Sequence, residues 1–183
     1  MSRSPATPLN VAIVGATGAV GVELMTCLER RGFPVGQLKL LASPRSAGRR
    51  LPFAGAEVEV EVLGPDSFAG IDVAFFSAGA STSREYAPVA AAAGAVVVDN
   101  SSAFRMDPSI PLVVPEVNAR RLSGEPGIVA NPNCVAAIAV MALAPLHAHA
   151  QVRRVIGATY QSASGAGAAA MAELEASTAA YLE

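Results

Sequence analysis

Between residues 9 and 133, short apolar runs alternate with stretches in which apolar residues recur every three or four positions. "LNVAIV" is a β-branched run, "GATGAVG" a glycine turn, and "VELMTCLERR" carries helical spacing that ends at Gly32. "VGQLKLLAS" reads as a second strand, "AEVEVEVLG" alternates with period two as a half-exposed one, and "IDVAFFSAG" is a buried one. "STSREYAPVAAAAG" predicts a helix with Ser/Thr caps, in which Pro88 either kinks the helix or marks its true first turn. "AVVVDNSS", "PLVVPEVN" and "GIVANPN" are three further short apolar runs, each closed by polar residues, Pro or Asn. Strands alternating with helices predict an α/β fold, a Rossmann-type doubly wound parallel sheet with helices on both faces.

The pattern changes at Cys134. A long Ala-rich helix is expected to about His149, then a strand "VRRVIGATYQ", a Gly/Ser loop and a helical "AGAAAMAELEASTAAYLE". The chain stops there without a capping residue, which would leave an apolar helix face uncovered. The expectation is a first domain over residues 1–133 and, over 134–183, the first part of a second, α+β domain.

Composition narrows the classes of function. The formal net charge is −2 and the arginines are scattered, so no electrostatic footprint for nucleic acid or an anionic membrane is present. The apolar stretches are too short for a transmembrane span, and "MSRSPATP" lacks the apolar core of a signal peptide, which together predict a cytoplasmic protein. Cys27 and Cys134 form no disulfide framework, and with His147 and His149 they offer no spaced ligand set, so no metal is expected. Lys39 is the only lysine and position 35 is valine, which removes short-chain reductases, whose chemistry needs Tyr-x-x-x-Lys.

"GATGAVG" places Gly15, Gly18 and Gly21 at GxxGxxG spacing between a strand and a helix. Glycines there allow a tight turn, let backbone amides approach a pyrophosphate and let the helix pack closely, while the helix dipole favours the anion. An NAD site presents Asp or Glu at the end of the second strand, about twenty residues on. Here the strand runs into "LASPRSAGRR". Ser43, Arg45 and Ser46 suit a ribose 2′-phosphate and leave no carboxylate to repel it, so NADP is the expected cofactor. Arg49 and Arg50 read as a solvated loop.

Two thiols need explanation. Cys27 falls in "ELMTCLERR" and reads as a small buried hydrophobe of the helix's apolar face. Cys134 follows "NPN" and opens a helix, where backbone amides and the positive end of the dipole favour the thiolate that attacks acyl carbon.

In this order and spacing, "GATGAVG", "LASPRSAG", "VVVDNSSAFRMD", "PLVVPEVN", "NPNC" and "YQSASGAG" resemble the aspartate-β-semialdehyde dehydrogenases over nearly all of residues 9 to 170. The resemblance implies NADP-dependent reductive dephosphorylation of β-aspartyl phosphate through a cysteine thioacyl intermediate. It would make Cys134 the nucleophile and Asn133 a nearby polar positioner. Arg105 would bind the acyl phosphate or released phosphate, and Gln161 would orient the substrate. Ser164 and Gly165 would line the nicotinamide side, with Gly15, Thr17, Gly18, Ala19 and Val20 holding the pyrophosphate. It further implies that the second domain is catalytic and forms a homodimer or tetramer. The family usually has Ser-Thr after the cysteine, where this chain has Val135 and Ala136. Its acid–base histidine and carboxylate-binding arginine lie in a second half, so residues 1–183 alone are expected to turn over little. His147 and His149 match no family position and read as solvated residues at a helix C-terminus. The rivals are N-acetyl-γ-glutamyl-phosphate reductase, with the same chemistry on a longer substrate, and a non-catalytic NADP-binding domain.

Overall fold

The computed structural model describes residues 7–122 and 124–182. It divides into two units, Met1–Ala144 and Pro145–Glu183. The first unit is built on a seven-stranded sheet of order β3-β4-β2-β1-β5-β6-β7, with β1 Leu9–Val14, β2 Val35–Ala42, β3 Arg50–Phe53, β4 Ala56–Val62, β5 Val73–Phe76, β6 Val96–Asp99 and β7 Gly127–Ala130. Every pairing is parallel except β3 with β4.

Strand β1 shows why the sequence folds this way. Val11, Ala12, Ile13 and Val14 have no exposed surface, so the strand is apolar on both sides. Val11 and Ile13 pack with Leu40 of β2 and with Met25 and Leu28 of helix α1, Ala19–Arg30. Ala12 and Val14 point the other way, into a cluster with Phe76, Val97 and the Ala87 and Ala90 face of helix α2, Ala80–Ala92. The period of two thus divides one strand between two cores, each closed by one helix. Burying each large side chain contributes about 1.5–3 kcal/mol.

Helix α1 ends as its sequence predicts. Gly32 takes φ +56° and its N–H reaches the carbonyl of Glu29, while Phe33 N–H returns to Leu28. Helix α2 differs from expectation. Its N-cap is Gly79 at φ +90°, with no side-chain cap, and Ser81 and Thr82 lie inside the first turn. Pro88 is accommodated within the helix.

Three other expectations are corrected. The run "PLVVPEVN" forms one bridge, Leu112 with Ala130, before the short helix α3, Pro115–Asn118. Pro111 and Pro115 enclose too few N–H groups for a ladder. Arg50 belongs not to a loop but to β3, an edge strand whose two-residue turn at Ala54 and Gly55 has positive φ at both positions. The second unit holds the end of helix α4, Cys134–Ala150, a 3-10 turn Ala163–Ala166 and helix α5, Ala168–Leu182. In it, the anticipated strand at 152–161 is irregular chain. A strand needs a neighbour for its N–H and C=O groups, and no described residue of this unit is in one. His147 and His149 stand in the last turn of α4. No helix among the described residues is long and apolar enough to cross a membrane.

Candidate active site

All six parallel strands present their carboxyl ends at one edge of the sheet, and the strand order reverses beside β1. That is the crevice where open α/β sheets bind ligands. The turn after β1 fills it. Gly15 has φ +87°, and a Cβ there would sit 2.6 Å from the carbonyl oxygen of Ser77 after β5. A Cβ on Gly21 would run into the Gly15 carbonyl oxygen and lie 2.7 Å from Ala16 Cα. These two glycines are therefore required by the protein's own packing. Gly18 is not: its φ is −79°, and the nearest atom to an added Cβ is at 3.4 Å. Gly18, Ala19 and Val20 open the first turn of α1 and are exposed.

A cavity of about 370 Å³ adjoins this turn and brings together Gly15, Thr17, Ser43, Arg45 and Ser46. Thr17 Oγ1 donates to Ser46 Oγ at 3.4 Å, joining the glycine turn to the 3-10 turn Pro44–Ser46 that follows β2. The cavity is also lined by Ala78, Thr82 and Tyr86, which the sequence reading missed. Thr82 and Tyr86 are four apart on one face of α2, and that spacing after a buried strand was the available signal. The Tyr86 phenol is pushed up from its ordinary pKa, first by its hydrogen bond with Glu85, then by burial and the Glu85 charge.

Two strands further along the same edge from β5, β7 runs into "NPNC". Asn133 caps α4, its Oδ1 accepting from Val135 N–H at 3.0 Å and its carbonyl from Ala137 N–H. Cys134 is the first helical residue and is exposed. Three inter-strand spacings separate β1 from β7, roughly 14 Å. Arg105, half-buried, reaches across the ends of β6 and β7: Nε donates to Asn131 O at 2.9 Å and one Nη to Asn100 O at 3.1 Å. Gln161, Ser164 and Gly165 belong to the second unit. There the Gln161 carboxamide occupies the space a Cβ on Gly165 would need, and the Ser162 and Ser164 hydroxyls are 2.7 Å apart.

Cys27 is a correction. It is exposed, with Sγ 3.8 Å from Glu23 Oε1. The buried stripe of α1 runs through Gly21, Met25 and Leu28, and two residues past Met25 is about 200° round the helix. A further carboxylate, Asp99 at the end of β6, is completely buried. Among the described residues, no group of three or more His, Cys, Asp or Glu is arranged to hold a metal.

Comparison with known proteins identifies the family of this fold. The model of the semialdehyde dehydrogenase NAD-binding domain matches residues 10–124, and that of the semialdehyde dehydrogenase dimerisation domain matches 143–183. The aspartate-semialdehyde dehydrogenase of Synechocystis is 52% identical over 92% of this chain and 50% of its own length, and that of Bacillus subtilis is 50% identical over 95% and 50%. Aspartate semialdehyde dehydrogenase II of Vibrio cholerae, in a crystal structure complexed with ASA, superposes with a TM-score of 0.91 at 45% identity, over 97% of this chain and 53% of that one. The chain therefore spans about half the length of the relatives it matches.

Proposed function

The chain belongs to the semialdehyde dehydrogenase family by its NAD-binding domain, and from that premise we propose that the whole protein is a cytoplasmic aspartate-semialdehyde dehydrogenase. It reduces β-aspartyl phosphate to aspartate β-semialdehyde with NADPH and releases phosphate. The observation that carries this reading is the arrangement of one sheet edge, where an exposed thiol at a helix N-terminus, a fixed guanidinium and a glycine-turn cavity stand together in one unit.

The residues present fit a dinucleotide. Gly18 lacks a side chain that the protein's own packing would tolerate, as a cradle for a pyrophosphate requires. Ser43, Arg45 and Ser46 would hold the 2′-phosphate, with no carboxylate among the cavity residues to oppose it. This supports NADP over NAD.

In the reaction, Cys134 Sγ attacks the acyl carbon; an S–C bond forms and the C–O bond breaks, its electron pair leaving with phosphate. Arg105 has given two of its five N–H donors to backbone carbonyls, which orients the rest of the fork for the phosphate as its charge grows. The first-turn N–H groups of α4 that Asn133 does not cap are donors for the transient oxyanion. When bound, the nicotinamide supplies the hydride that reduces the thioester. The thiolate then departs with the S–C electron pair and the aldehyde is released. The family resemblance would give Gln161 the orienting of the acyl group and Ser164 and Gly165 the nicotinamide side, roles that rest on their sequence motif. The match of residues 143–183 to a dimerisation domain supports assembly as a homodimer.

The test is acylation. Mixed with β-aspartyl phosphate and no NADPH, the protein should release phosphate and gain an aspartyl adduct on Cys134, and Cys134→Ser should do neither. An equal or faster reaction with N-acetyl-γ-glutamyl phosphate, or acylation that survives Cys134→Ser, refutes the assignment.

A further inference from the structure

The buried carboxylate of Asp99 has no part in the steps above. It is completely enclosed at the end of β6, and three donors converge on it. Oδ1 accepts from Ser83 Oγ at 2.7 Å and from Ser101 N–H at 3.2 Å, and Oδ2 accepts from Ser101 Oγ at 2.8 Å. Ser101 Oγ in turn accepts from Ala103 N–H at 3.0 Å. A carboxylate removed from water persists only when such donors satisfy it, so the chain from 99 to 103 must keep the path that delivers them. That path is a turn of the backbone around the side chain that precedes it.

Two residues beyond Ala103 comes Arg105, whose guanidinium is tied to the carbonyls of Asn100 and Asn131. These are the residues immediately after β6 and β7, joined to each other by Asn131 Nδ2 donating to Asn100 Oδ1 at 2.7 Å. The segment thus leaves β6, wraps its own last carboxylate, and returns with Arg105 laid across the two strand ends, a short step from Cys134.

We propose that Asp99, acting through Ser101, is the positioning residue that holds Arg105 in place before any anion arrives. A guanidinium held in its working orientation loses less freedom on binding than one searching from a mobile loop, so the device acts on anion affinity. The inference rests on the reading of Arg105 as the phosphate ligand and adds what aims it.

Asp99→Ala would orphan three donors and risks misfolding, so the decisive variants are Ser101→Ala and Ser83→Ala. Each takes one hydroxyl from the same carboxylate, but only Ser101 lies on the segment leading to Arg105. The readouts on the 183-residue chain are solvent exchange of the Arg105 Nε–H by ¹⁵N NMR, assigned by its loss in Arg105→Gln, and affinity for inorganic phosphate. Ser101→Ala should speed that exchange at least tenfold and weaken phosphate binding at least fivefold. Ser83→Ala should change both less than twofold, although both variants lose stability in urea. An Arg105 resonance unaltered by Ser101→Ala, or equal effects from the two variants, overturns the proposal. If phosphate leaves the wild-type Arg105 resonance unmoved while Ser101→Ala still frees it, the phosphate role fails and the positioning stands.

Discussion

Gly18→Ala and Gly21→Ala make the same chemical change three residues apart in one turn, and the structure gives them opposite consequences. At Gly21 the new methyl meets only backbone: the Gly15 carbonyl oxygen, Ala16 Cα at 2.7 Å and Ala16 C at 2.8 Å. Neither side can rotate away, so α1 must lift from the turn by several tenths of an ångström, straining the packing of Met25 and Leu28 beneath it. Overpacking of this kind costs about 1–3 kcal/mol. A backbone obstacle places the cost near the top of that range, and replacing a helical glycine by alanine returns about 1 kcal/mol, for a net loss of about 2 kcal/mol. With a urea m-value of about 2 kcal/mol/M, the midpoint should fall by about 1 M. At Gly18 the φ of −79° suits any residue and the nearest atom is at 3.4 Å, so only the weaker N-cap preference of alanine is felt, below about 1 kcal/mol. The methyl instead projects from the exposed first turn, where the pyrophosphate is expected. Gly18→Ala should therefore keep most of its stability and lose NADPH affinity tenfold or more in a fluorescence titration. Equal urea midpoints for the two variants would refute the steric account of Gly21. An unchanged NADPH affinity in Gly18→Ala would refute the placement of the pyrophosphate.

Arg45→Ala should remove a charged hydrogen bond of about 1.5–3 kcal/mol, lowering NADPH affinity roughly ten- to hundredfold while NADH affinity changes less than twofold. Parallel titrations with the two nucleotides decide this, and equal losses would mean that Arg45 does not read the 2′-phosphate. Both cysteines are exposed, so an aromatic disulfide reagent should titrate two thiols in the native protein and one in Cys27→Ser; a single native thiol would restore Cys27 to the core. The Asp107 carboxyl is held below its ordinary value of 3.8, first by the Ser109 hydroxyl and then by the Ser109 N–H. A depressed folded pKa gives stability that is present above the unfolded value and lost as pH falls through the folded one, so the 107–109 turn should loosen only in acid below about pH 4. Ser109→Ala should raise the Asp107 midpoint in a ¹³C titration, and a midpoint unmoved by that change would contradict the assigned cause.

How much of this could be read from the sequence depended on how local the cause was. β1 and its glycine turn were legible because both signals sit in consecutive residues: an unbroken apolar run for a strand buried on both faces, and glycines where φ +87° and helix packing demand them. Ser43, Arg45 and Ser46 were picked out by their place just past the second strand and do line the cavity beside the glycine turn, but the 3-10 turn that carries them was not foreseen. Cys27 was misplaced because its apolar neighbours Leu24, Met25 and Leu28 suggest a face that only helical phase resolves, and Cys27 lies about 200° round the helix from Met25 and about 100° from Leu28. β3 was invisible because "RLPF" is only four residues long and contains a proline; only pairing with β4 at the sheet's edge makes it a strand. The strand expected at 152–161 failed for the converse reason, having β-branched residues but no strand among the described residues of its unit to pair with.

Asp99 shows the limit most clearly. In the sequence it is one acidic residue after three valines, where a solvated strand end is the ordinary reading. Its burial follows from contacts with Ser83, sixteen residues earlier on α2, and with a loop that folds back onto it. No periodicity encodes such a convergence, because it exists only after the parallel sheet has brought the ends of β5, β6 and β7 to one edge. The same convergence ties Arg105 to the residues that follow β6 and β7, on the turn that leads to Cys134, so Cys134 and Arg105 could be named from their motifs while the contacts that hold Arg105 become readable only in three dimensions.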